Sequence, residues 1–190
     1  MKQIGREPAA RRVMMSIIEN KINPIEAQRC PVSEFRLPTY MEIPDVGLYL
    51  EQVSKFINSC LARDTGIRLT TSMISNYVKQ KLISHPEKKQ YSREQIATLM
   101  MIALCKTVLS LDEIRLLLES EAYKGKTEEF YVQFEEGLTN ALAQVSGALD
   151  EKEPFALNRE SSDLLWTLLI TIAFRLILRQ MLDASAGRIC

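Results

Sequence analysis

Apolar residues in this 190-residue chain recur at helical spacing, and strand-like alternation is almost absent. Leu50, Val53, Phe56, Ile57, Cys60 and Leu61 form one amphipathic stripe, with Asp45 as the expected N-cap and Arg63–Ile67 as the following turn. A shorter helix over 70–80, capped by Thr70 or Thr71, sets Met73, Ile74, Tyr77 and Val78 on one face and small polar residues on the other. Residues 81–91 lose the period at Pro86 and read as a turn or ribbon. Ser92 and Gln95 then fit a capping box, in which each side chain satisfies the other's free backbone amide. The helix this box opens, over 93–108, is apolar nearly all round and therefore belongs at the centre of a core. Ser110 and Glu113 repeat the box before a helix whose inner face is Ile114, Leu117, Leu118 and Ala122, with Gly125 as its stop.

The flanks differ. Residues 1–29 are charged, with a thin stripe of Val13, Ile17 and Ile18, and residues 30–46 carry Pro31, Pro38 and Pro44, which predict an extended strap or linker. Downstream, Thr127-Glu128-Glu129 predicts an acid-first helix start, and Phe130, Phe134, Leu138, Ala141, Val145 and Leu149 share a face. After a loop at 150–160, a helix from Ser162 to about Ala184 has a single polar line, Thr167, Thr171, Arg175, Arg179 and Asp183. Its remaining girth is apolar, which calls for partners on several sides, through packing against the preceding module or self-association. The expected division is 1–46, an N-terminal helix and strap; 47–123, a helix-turn-helix module; and 126–190, a helical hairpin for dimerisation or an effector.

Charge sharpens this picture only through its distribution, because 24 basic and 24 acidic residues cancel. Residues 68–93 hold six basic side chains against Glu87 alone, a net of +5, whereas residues 111–163 hold five against thirteen acids, a net of −8. A basic module ahead of an acidic one points to a localised polyanion site. Cys30, Cys60, Cys105 and Cys190 are widely spaced and His85 is the single histidine, which argues against zinc or redox-dithiol chemistry and suits a reducing cytoplasm. No Ser-His-Asp set and no phosphate-binding glycine loop is present, so neither an enzyme nor a cofactor is expected. Leu164–Leu178 is interrupted by Arg175 and falls short of the ~20 apolar residues that cross a bilayer, so no membrane partner is expected.

The order helix, turn, helix, basic ribbon, helix, helix resembles the winged helix-turn-helix of MerR-type bacterial regulators. The residues that carry the likeness are Tyr77, Lys81-Leu82-Ile83, Lys89-Gln90-Tyr91-Ser92 and Leu111-Asp112-Glu113-Ile114, within about residues 48–118. Leu37–Tyr40, Ile43–Asp45 and Leu48–Leu50 also look like a bacterial family of MerR-like proteins of unassigned function. The resemblance implies a mainly all-α fold and a cytoplasmic transcription regulator bound to double-stranded DNA, a dimer through its C-terminal helices. It places Thr71, Ser72, Ser75, Asn76 and Lys79 near the major groove, and Lys81, His85, Lys88 and Lys89 on phosphates. Asn76 and Gln90 stand where the family usually carries arginine. That departure favours the alternative, a protein-interaction adaptor on the same scaffold.

Overall fold

A computed structural model describes residues 31–120, 123, 125–151 and 164–186. Among these the chain is mainly helical, with six α-helices and one two-stranded antiparallel sheet. In order they are β1 (Leu48–Tyr49), α1 (Leu50–Thr65), α2 (Thr71–Lys79), β2 (Gln90–Tyr91), α3 (Arg93–Cys105), α4 (Leu111–Glu119), α5 (Thr127–Glu151) and α6 (Leu164–Ser185). The expected N-terminal helix, Ala122, Ser162, the 152–160 part of the expected loop, Cys30 and Cys190 lie outside the described residues, as does the side chain of Leu149.

α3 is the central post. Every side chain from Ile96 to Cys105 is buried, as its all-round apolar sequence requires. α5 supplies Phe130, Tyr131, Phe134, Leu138, Ala141, Leu142 and Val145 to the same core, and α6 supplies Leu168, Leu169, Ile172, Ala173, Leu176 and Ile177. α5 and α6 pack closely at Gly137, where a Cβ would lie 2.5 Å from Leu169 Cδ1. Both predicted capping boxes form. Ser92 Oγ accepts from Gln95 N–H at 3.3 Å while Gln95 Oε1 accepts from Ser92 N–H at 3.0 Å, and Ser110 with Glu113 does the same at 3.3 and 2.7 Å.

Five expectations change. The proline segment is no linker: it folds into 3-10 turns at Pro31–Glu34 and Tyr40–Glu42 and buries Val32, Phe35, Leu37, Tyr40 and Ile43. Proline's fixed φ suits a 3-10 turn as well as an extended strand. Asp45 does not cap α1, because Leu48–Tyr49 is drawn into extended pairing, Leu48 with Tyr91 and Tyr49 with Gln90, and α1 opens only at Leu50. α3 stops at Cys105 rather than 108, where Thr107 and Val108 tighten into i→i−3 hydrogen bonds. α4 ends at Ser120, ahead of Gly125, and α5 runs on through 150 and 151, which were expected to be loop.

Candidate nucleic-acid interface

α2 is short and amphipathic, so its geometry follows from its caps. Thr70 Oγ1 accepts from Met73 N–H at 3.2 Å at the amino end. Ile74, Tyr77 and Val78 are buried, which turns Ser72, Asn76 and Lys79 outward on one i, i+4, i+7 stripe, with Thr71 and Ser75 half-buried at its edge. The Asn76 carboxamide is exposed, and its Oδ1 accepts from Gln80 Nε2 at 3.4 Å. At the carboxyl end, Lys81 N–H donates to Val78 O and Leu82 N–H to Tyr77 O, both at 3.0 Å, the pattern of a Schellman cap. Arg115 Nη2 donates to Gln80 O at 3.1 Å and closes the remaining carbonyl.

The ribbon is anchored at its base and free at its tip. Leu82, Ile83 and Tyr91 are buried, and Gln95 Nε2 donates to the Ser84 carbonyl and hydroxyl, both at 2.9 Å. Gln90 N–H donates to Glu87 O at 2.8 Å, closing a tight turn with Lys88 (φ 48°) and Lys89 (φ 66°) at its centre. Two successive positive φ values mark a type I′ hairpin turn, whose sequences usually hold asparagine or glycine. Lys81, at φ 58°, completes a set of three, and these lysines are the only non-glycine residues with positive φ among the described residues.

Lys79, Lys81, His85, Lys88 and Lys89 are all exposed. None of them has an ion pair within 4 Å among the described residues. A groove of about 710 Å³ beside the ribbon brings His85, Pro86 and Lys89 against Tyr49 and Gln52 of the α1 amino end. Tyr77 and Tyr91 are core residues, and burial raises the pKa of both hydroxyls above the ordinary value.

Two cations of the basic stretch lie elsewhere. Arg93 holds the strap: its Nε donates to Ile43 O at 2.9 Å, and its guanidinium lies 5.6 Å from the Tyr40 ring centroid. Arg68 lines a separate crevice with Lys106 and Arg179, residues that neither period nor spacing linked to it. Cys105 is inert packing, its thiol pushed up to about 12 by burial. Among the described residues no group of three His, Cys, Asp or Glu side chains could hold a metal ion.

A family described as a domain of unknown function (DUF1836) matches residues 38–135, which run from the strap through the helices and ribbon into α5. The chain belongs to the DUF1836 family. No curated protein and no solved structure matches it. The expected membership among MerR-type regulators and their MerR-like relatives is therefore wrong. The residues behind that likeness do general work in this fold. Tyr77 and Tyr91 fill the core, Leu82 and Ile83 anchor a ribbon, and Ser92 and Glu113 cap helices. The DUF1836 match also takes in the strap from Pro38 onward, beyond the expected 47–123 module.

Proposed function

We propose that this DUF1836 chain is a double-stranded-DNA-binding transcription regulator, with α1 and α2 as a helix-turn-helix, α2 as the reading helix and residues 81–91 as a basic wing. The observation that carries the reading is the backbone of Lys81, Lys88 and Lys89. A left-handed conformation costs a residue with a side chain about 1–2 kcal/mol, and glycine would adopt it freely. Strain of this kind persists where the side chain is used. Three exposed ammonium groups so placed suit phosphate contact, while the Ser72, Asn76 and Lys79 stripe suits base edges, Asn76 being able to pair bidentately with adenine.

A gel shift with duplex genomic fragments at two salt concentrations tests this. The protein should retard a subset of fragments, and Lys88→Glu/Lys89→Glu should weaken retention and reduce the salt slope by about two. Failure to retard any duplex at low salt, or full retention by the double variant, overturns the reading.

One observation favours a second reading, the interaction adaptor. An apolar groove of about 420 Å³ lies between α4 and α6, and Leu116 (70% exposed) and Leu164 (67%) border it. Such a groove accepts the apolar face of a partner helix. A stoichiometric protein partner that is lost on Leu116→Glu, in a protein that binds no duplex, selects this alternative.

A further inference from the structure

We infer that the crevice between the α1–α2 turn, the carboxyl end of α3 and α6 is a binding site for a phosphate-bearing anion. The cavity measures about 220 Å³, room for several waters at about 30 Å³ each. Its wall carries three cations from three separate elements: Arg68 from the turn, Lys106 from the α3 cap and Arg179 from α6. Thr107 and Tyr77 line it too, and among the described residues no carboxylate does.

Charge bookkeeping leaves a positive remainder. Gly66 caps α1 and Lys106 caps α3, so two helix carboxyl ends meet here, each equivalent to about −0.5 charge. Asp183 Oδ2 stands 3.7 Å from Arg179 Nε and cancels up to one unit from outside the cavity wall. Lys106 Nζ also donates to Leu109 O at 3.5 Å and feels the Glu113 carboxylate, so the positive remainder at the wall rests mainly on Arg68 and Arg179. The amino end of α2 adds to that excess, since Leu69 and Met73, on either side of its first turn, also line the wall. Arg68 and Lys106 have no ion pair within 4 Å among the described residues.

The arrangement is also built rather than incidental. Arg179 lies against Gly66, where a Cβ would come within 3.0 Å of Nη2 and 3.1 Å of Cζ. A bare, left-handed residue at φ 67° is what lets the guanidinium close over the α1 carboxyl end. An anion held here would tie α6 to the turn that precedes α2. The site shares no cation with the α2 and ribbon lysines, so it stands whether or not the DNA reading does. Its phosphate could come from a free phosphorylated metabolite or from a duplex backbone.

Calorimetric titration of the full chain with pyrophosphate, alongside the duplex gel shift, separates these sources. Arg68→Gln/Lys106→Gln is the test variant, since both side chains are exposed, and its circular dichroism should match the parent's. Saturable pyrophosphate binding that falls at least tenfold in this variant and persists in Lys88→Glu/Lys89→Glu assigns the site to a free phosphoanion. If pyrophosphate does not bind but the variant weakens duplex retention, the site takes backbone phosphate. The site does not exist if millimolar pyrophosphate gives no saturable heat and the variant retains duplex like the parent, or if pyrophosphate binding survives both substitutions.

Discussion

Lys88 and Lys89 show how a single dihedral angle carries information about use. At φ 48° and 66° both hold a conformation that disfavours any side chain, and they do so at the exposed tip of a turn. Lys88→Gly and Lys89→Gly should therefore each stabilise the fold in urea titrations, by about 0.5–1 kcal/mol once glycine's greater freedom in the unfolded chain is subtracted. The same changes should weaken duplex retention, and a gain in both properties would contradict a phosphate role. Glu113 offers a pH-dependent counterpart. The Ser110 backbone N–H and hydroxyl hold its carboxylate below the usual range. A lowered folded pKa contributes stability above the ordinary glutamate value, and that contribution disappears as pH falls through the lowered one. Glu113→Gln should flatten the acid side of the thermal-midpoint profile and leave its slope above neutrality unchanged.

At the scale of elements, the strap deserves most weight. Tyr131 of α5 donates its hydroxyl to Pro38 O at 2.8 Å, and its ring lies 6.0 Å from Tyr40, so α5 and the strap fold against each other. Tyr131→Phe leaves Pro38 O without this partner and should cost about 1–2 kcal/mol in urea titration. It should also speed limited proteolysis within 36–46, while a detached linker would show neither effect. The capped helix starts at Ser92 and Ser110 were legible because a capping box lies within four residues of sequence. The strap's packing was not legible, since Pro38 meets Tyr131 across 93 residues and no local period records that contact.

For the whole molecule, α6 poses the remaining question. By length and composition it could cross a membrane, yet its inner face is buried against the other helices, and its outer face shows Leu178, Met181 and Leu182. These lie at i, i+3 and i+4, a stripe suited to a like helix, and a two-fold pair would match a two-fold operator. We propose that a second copy of this chain covers it. Light scattering should give a dimer for the parent and a monomer for Leu178→Glu/Met181→Glu with unchanged circular dichroism; a monomeric parent at micromolar concentration would remove the proposal.

What the sequence determined by itself was local. Helix periods, the two capping boxes, the core status of α3 and the lysine-rich ribbon all follow from residues a few positions apart, where backbone geometry dictates side-chain direction. Tertiary structure alone decided the rest. It spent Arg93 on the strap and gathered Arg68, Lys106 and Arg179 around one crevice. Those outcomes depend on which distant elements pack together, and packing joins residues by distance in space, which no spacing along the chain encodes.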